Sequence, residues 1–194
     1  MTERFQYPET EAFIQRLLRP ERAELTDPFT IINLMPIEPF DHVADIGCGP
    51  GFFSIPIAKY LIHGKLYALD IEEGMLEALR ERVAEAKLGN VEVLLCEEAE
   101  FPVAEGTLDG VFLAFVTHHP PDRVGFMEAV RQLLKPKGWC TILEWFRKET
   151  ESGPPLEHRI DPDEMMGLCR KAGFQHQGWR DLNGQQYMTM AKNL

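Results

Sequence analysis

From His42 onward the chain alternates two kinds of apolar segment. Nearly unbroken apolar runs occupy His42–Ile46, Lys65–Asp70, Val91–Cys96, Leu108–Phe115 and Trp139–Glu144. Between them, at about Phe53–Leu61, Glu73–Lys87 and Asp122–Leu134, apolar positions recur every three or four residues. The first pattern is that of strands buried on both faces, and the second is one face of a helix. Their alternation predicts an α/β domain with an open, mostly parallel sheet and helices on both faces. A helical preface comes first. Phe13, Ile14, Leu17 and Leu18 share one face of a helix that Arg19-Pro20 ends, and Thr26-Asp27-Pro28 opens another carrying Ile31, Ile32, Leu34 and Met35. After the polar loop Lys148–Arg159, Asp161-Pro162-Asp163-Glu164 is read as the cap of a helix running through Met166, Leu168 and Cys169 to Ala172-Gly173. Two last strand candidates, Phe174–Asp181 and Gln185–Lys192, flank Leu182-Asn183-Gly184, and Asn-Gly between strands signals a hairpin. The expected sheet therefore has seven strands and an antiparallel C-terminal edge.

Composition narrows the class. With 194 residues, 44% of them hydrophobic and 26% charged, the chain fits one globular domain, residues 1–194. No apolar run approaches the ~20 residues of a membrane helix. Met-Thr-Glu-Arg-Phe-Gln-Tyr is no basic-then-apolar leader. Cys48, Cys96, Cys140 and Cys169 are scattered without C-x-x-C spacing, as expected of reduced core thiols in the cytoplasm. A formal net charge of −11 with dispersed basic residues repels phosphate backbones, so no nucleic-acid partner is expected.

The chemistry concentrates where the first strand ends. Val43-Ala-Asp-Ile-Gly-Cys-Gly-Pro-Gly51 is an apolar run that carries an acid and breaks into glycines at alternate positions. About twenty residues on, a second run ends in Asp70. Glycines let backbone turn tightly beside a ligand, and a carboxylate at the neighbouring strand tip is placed to accept both hydroxyls of a ribose. The pair reads as the site of a nucleoside-containing cofactor. A phosphate loop would need a following Lys-Ser/Thr, which is absent. A dinucleotide fingerprint would need glycine or alanine where Phe52 or Ser54 stands, which disfavours a nicotinamide-dependent dehydrogenase.

Asp45-x-Gly47-x-Gly49-x-Gly51 resembles the first motif of class I S-adenosylmethionine-dependent methyltransferases, and the resemblance runs over roughly residues 40 to 175. It implies a Rossmann-like fold and S-adenosyl-L-methionine as cofactor. Asp45 would balance the ammonium of the cofactor's amino-acid end, and the backbone of Gly47, Cys48, Gly49 and Gly51 would approach its carboxylate. Asp70-Ile71-Glu-Glu-Gly-Met75-Leu76 is similar to the family's acidic strand end, with Ile71 and Met75 flanking the adenine. Glu98-Ala99-Glu-Phe-Pro102 looks like the segment whose acid takes the adenine amino group, with Glu98 in place of the usual aspartate. Leu108–Phe115 matches the fourth strand and sets Phe115 near the sulfonium. Arg131-Gln-Leu-Leu-Lys-Pro-Lys-Gly138 resembles the turn into the fifth, with Lys137 where a glycine is usual, a harmless exchange if φ there is negative. The subgroup resembled is the ubiquinone/menaquinone-biosynthesis type acting on small molecules.

Candidates for proton transfer lie where strands four and five end. A histidine side chain can take a proton near neutral pH, which suits His118 and less so His119, and Glu144 can orient a substrate or a histidine. Trp145 and Phe115 are expected to line an apolar pocket. Adjacent histidines point apart, so no metal site is expected. Residues 1–40, with Tyr7 ahead of the helices, are expected to fold over the cofactor. The reading from another class is a nucleoside-binding regulatory module without transfer activity.

Overall fold

A computed structural model describes residues 10–194. Its seven strands are β1 (His42–Ile46), β2 (Lys65–Asp70), β3 (Val91–Leu95), β4 (Leu108–Ala114), β5 (Leu134–Trp145), β6 (Gln175–Asp181) and β7 (Gln186–Lys192). They form one sheet in the order β3-β2-β1-β4-β5-β7-β6. The first five are parallel, β7 runs antiparallel to β5, and β6 antiparallel to β7. The fold is the Rossmann-like α/β arrangement expected, with its C-terminal hairpin at one edge. Strand order reverses between β1 and β4. Successive crossovers leave in opposite directions there and open a crevice above the carboxyl ends of the two strands.

Helices α1 (Thr10–Leu17), α2 (Glu21–Leu25) and α3 (Pro28–Leu34) precede the sheet, and α4 (Ser54–Tyr60), α5 (Glu73–Glu85), α6 (Arg123–Leu133) and α7 (Pro162–Lys171) cross over it. Strand alternation sorts the core into two layers. Val111, Leu113 and Ile142 pack with Phe126, Met127 and Val130 of α6 and Met165 and Leu168 of α7. Phe112 and Leu143 face Ile31 and Ile32 of α3 and Ile57 of α4. Among the described residues no helix is long and apolar enough to cross a membrane.

Local chemistry explains the starts of two helices. Asp27 caps α3 by accepting from the Thr30 N–H at 2.9 Å, with Pro28 at the first helical position. Asp122 caps α6 by accepting from Gly125 N–H at 3.0 Å. Asp161, expected to cap α7, makes no capping bond and lies 3.8 Å from Arg147 instead. β3 departs from the picture of strands buried on both faces. As an edge strand it is half-covered, and Leu95 is 52% exposed.

The fifth strand begins earlier than its apolar run because Leu134 pairs with Leu108 ahead of a register shift that brings Trp139 opposite Gly110. Lys137 lies in this stretch with φ +67, so the exchange for the usual glycine is not the harmless one expected of a negative φ. An L-residue in that conformation costs about 1–2 kcal/mol, partly offset by glycine's larger unfolded-state entropy. Lys137→Gly is expected to stabilise the chain by about 0.5–1 kcal/mol in urea unfolding. The bond from residue 137 N–H to Asn193 O, 2.9 Å, is kept in the variant. An unchanged or lower midpoint would show that this turn stores no strain.

Candidate active site

The site begins where β1 runs out. Gly47 and Cys48 N–H both donate to Leu69 O, at 2.7 and 3.0 Å, which fixes the turn against β2. Gly47 has φ +71, and a Cβ there would lie 2.3 Å from Val116 Cγ2. Gly51 has φ +84, and a Cβ would meet Leu79 Cδ1 at 2.3 Å. These two glycines bring the β4 exit and α5 against the turn. Asp70 then ties the turn down: Oδ2 accepts from Gly49 N–H at 2.8 Å and Oδ1 from Glu72 N–H at 3.0 Å. A carboxylate oxygen has capacity for two bonds, so each keeps one acceptor position for a ligand.

Above this turn lies a cleft enclosing about 1080 Å³, part of it open to solvent. Asp45, Gly47, Cys48 and Gly49 line it from β1, and Asp70, Ile71 and Met75 from β2 and α5. Cys96, Glu97, Glu98 and Phe101 follow β3, and Phe115, Val116 and His119 follow β4. Two residues expected at the cofactor lie outside this lining. Gly51 serves the packing of α5, and Ala99, exposed, points elsewhere on its loop. Glu97, not singled out in the sequence, joins Glu98. Phe13 and Leu17 of α1 and Arg22 of α2 close the remaining side, so part of the 1–40 segment does border the cleft. Tyr7 lies outside the described residues.

Arg22 lines the cleft and was not singled out in the sequence. Its Nη1 donates to Leu17 O at 2.9 Å, and its guanidinium stands 4.3 Å from the Phe52 ring centroid, 5.6 Å from that of Phe53 and 5.9 Å from that of Phe115. Burial lowers its pKa to about 10, against the pull of Asp45, and it stays charged. Phe115 holds φ +62, a conformation that bulky side chains rarely adopt outside constrained sites. Asp45 is buried and accepts from Ser54 Oγ. Burial pushes its pKa up to about 7; Asp70 adds to the rise, while Ser54 and Arg22 oppose it. A carboxylate and a guanidinium so placed complement the ammonium and carboxylate of an amino-acid tail.

The sign of the Asp45 shift gives a pH test. A folded pKa near 7, above the ordinary 3.8, means the fold favours the neutral acid, so this group's effect on stability becomes less favourable as pH rises from about 4 to about 7. An ammonium needs the anion. Affinity for S-adenosylhomocysteine is therefore expected to fall by about tenfold between pH 8 and pH 6, with proton release on binding near neutrality. Calorimetry in buffers of different ionisation enthalpy reads both, and a flat profile without proton release would detach Asp45 from the ligand.

His118 and Glu144 meet between β4 and β5. Nδ1 of His118 lies 3.0 Å from each carboxylate oxygen, and the His118 backbone N–H donates to Oε1 at 3.2 Å. Glu144 is fully buried and His118 nearly so. A carboxylate facing Nδ1 keeps the proton there and leaves the lone pair on Nε2. His118 borders a second cavity beside the cleft, whereas His119 borders both. The rings of His118 and His119 lie 4.1 Å apart, and burial, helped by His118 and His158, lowers the His119 pKa to about 4. Trp145 does not line the cleft; its ring packs 5.9 Å from Phe115 and beneath Arg159. No group of three or more His, Cys, Asp or Glu able to hold a metal occurs among the described residues.

A sheet of this order, with a glycine turn at its switch point and acids on the adjacent strands β1 and β2, defines the class: an S-adenosylmethionine-binding Rossmann-like fold. Residues 43–138 match the methyltransferase domain family, and the chain belongs to the class I S-adenosylmethionine-dependent methyltransferases. The solved structure of an S-adenosylmethionine-dependent methyltransferase from Aquifex aeolicus is similar over 97% of this chain and 100% of its own, with 28% identity and a TM-score of 0.91. Demethylmenaquinone methyltransferase of Listeria monocytogenes is 32% identical over 114 residues, 58% of this chain and 48% of the relative. Its counterpart in Symbiobacterium thermophilum is 27% identical over 173 residues, 70% of this chain and 69% of that one. The chain thus spans about half the length of the Listeria relatives.

Proposed function

We propose that the chain moves a methyl group from S-adenosyl-L-methionine to a small-molecule acceptor in the cytoplasm. One observation carries the reading: Asp45, Asp70 and Arg22 converge on a single cleft at the β1–β4 switch point, matching the amino-acid tail and the sugar of that cofactor. Asp70 takes the ribose hydroxyls, Asp45 and Arg22 the two ends of the tail, and Ile71, Met75 and Glu98 the adenine. When bound, the cofactor supplies a methyl group on sulfonium for in-line displacement. Phe115 presents an aromatic face to that positive charge, while Phe13 and Leu17, as part of the N-terminal cap, exclude water. His118, held by Glu144, is the general base for an acceptor that must lose a proton. The relatives named for quinone methylation support a small acceptor, and four unpaired, buried cysteines support a reducing compartment.

A binding module without transfer would use the same acidic strand ends, but it would have no need of the buried His118–Glu144 pair. Calorimetry with S-adenosylmethionine, S-adenosylhomocysteine and NADH is the test. Saturable binding of the first two and none of the third is expected; binding of neither sulfur nucleoside would overturn the proposal.

A further inference from the structure

Beside the cofactor cleft, the second cavity lies between the start of α6 and one face of α7 and encloses about 1150 Å³, much of it open to solvent. His119 and Pro120 border both spaces, so the two adjoin along one wall. The acids around the second cavity are already engaged. Asp122 accepts from Gly125 N–H at 3.0 Å, and Glu164 accepts from Arg123 at 3.3 Å and from Arg147. The side chains of Lys171 and His158 make no hydrogen bond or ion pair among the described residues, although both border the cavity. The first turn of α6, an eleven-residue helix, adds its positive end on the same side. The last element is His118. Its side chain is 5% exposed, its Nδ1 is occupied by Glu144, and its Nε2 has no partner among the described residues.

Taken with the methyl-transfer reading above, on which it rests, this arrangement has a chemical consequence. We propose that the second cavity holds the methyl acceptor, and that the acceptor is a small anion bearing a carboxylate or phosphate, whose nucleophilic X–H gives its proton to Nε2 of His118. Lys171 and His158 hold the anionic group, while Arg123 stays paired with Glu164 and offsets its charge. The nucleophile then sits at the wall shared with the cofactor cleft. As the X–C bond forms and the C–S bond breaks, the bonding pair stays on sulfur and the X–H proton passes to the imidazole, so charge and atoms balance. A base there is needed only for a nucleophile that arrives protonated, such as a hydroxyl or an acidic C–H.

The test uses the full chain saturated with S-adenosylhomocysteine and follows the imidazole resonances of His118, His119 and His158 by NMR. The probes are sodium phosphate, 4-hydroxybenzoate and its neutral twin 4-hydroxybenzamide, with sodium chloride at matched ionic strength as control. Saturable shifts at His118 and His158 are expected with at least one anion, with the amide weaker by about tenfold. Lys171→Ala is expected to weaken the anion by about threefold or more while leaving the affinity for S-adenosylhomocysteine unchanged. The tighter of the two anions identifies the acceptor's charged group. Equal shifts with chloride, equal binding of the amide, or an unaffected Lys171→Ala variant would each overturn the proposal. Failure of the cofactor reading is separately visible. If S-adenosylhomocysteine does not bind by calorimetry, methyl transfer falls, while the same anion titration on the unliganded full chain still decides what the cavity holds.

Discussion

An Asp70→Ala variant is expected to bind S-adenosylhomocysteine about a hundredfold to ten-thousandfold more weakly than the native chain. Two hydrogen bonds from sugar hydroxyls to a carboxylate contribute about 1.5–3 kcal/mol each, and alanine removes both. It also leaves Gly49 and Glu72 N–H without the acceptors that fix the glycine turn, so the remaining contacts to the tail are less well placed. Burial raises the Asp70 pKa against those same backbone bonds. Asp70→Asn keeps the shape and one acceptor oxygen and is expected to lose less, about tenfold to a hundredfold. The alanine variant should remain folded, at a cost of about 1–3 kcal/mol for the unpaired backbone donors. Calorimetry alongside urea unfolding separates the two effects. Native-like affinity in a folded Asp70→Ala chain would remove the sugar from this strand end, and the cofactor reading with it.

The parts of this fold legible in the sequence are those whose boundaries are chemical. His42–Ile46 and Lys65–Asp70 coincide with β1 and β2 because glycines follow the first and an acid closes the second. The start of β5 was hidden because Leu134–Gly138 is rich in Lys, Pro and Gly. Only its neighbour β4 makes a strand of it. α2 is five residues long, too short to carry a period, so nothing local marks Arg22. Its position over Phe52 and beside Asp45 exists only after the preface folds back across the sheet. Alternate glycines look equivalent in one dimension, yet Gly49 borders the cleft while Gly51 faces Leu79. Trp145 and Glu144 are adjacent on a strand, so they point to opposite faces. Once Glu144 turns toward His118, Trp145 turns to the other face, where it packs against Phe115 but stays outside the cleft lining. His118 and Glu144 were recognisable singly, each near the end of an apolar run. Their contact needed the sheet order that sets β4 beside β5.

That contact carries the last and largest kinetic expectation. Glu144→Gln should slow methyl transfer by about a hundredfold to ten-thousandfold on any proton-bearing acceptor that the native chain methylates, with cofactor affinity unchanged. The amide preserves volume but removes the charge that stabilises an imidazolium. By turning its NH₂ toward Nδ1 it also favours the opposite tautomer, with the proton on Nε2 where a base must have a lone pair. The fold itself should not suffer, because a fully buried carboxylate is replaced by a group that is cheaper to desolvate and can still pair with His118. Nitrogen chemical shifts of the His118 ring report the tautomer directly and need no acceptor. The native ring is expected to carry its proton on Nδ1, and the variant ring to shift population toward Nε2. A variant that keeps both the native tautomer and the native rate would make the pair a structural bridge, and the proton would have to leave by another route. His118→Asn separates these cases further. It leaves Glu144 buried with only a backbone partner, so a loss of stability is expected with it, whereas Glu144→Gln should reduce turnover with the thermal midpoint held or raised.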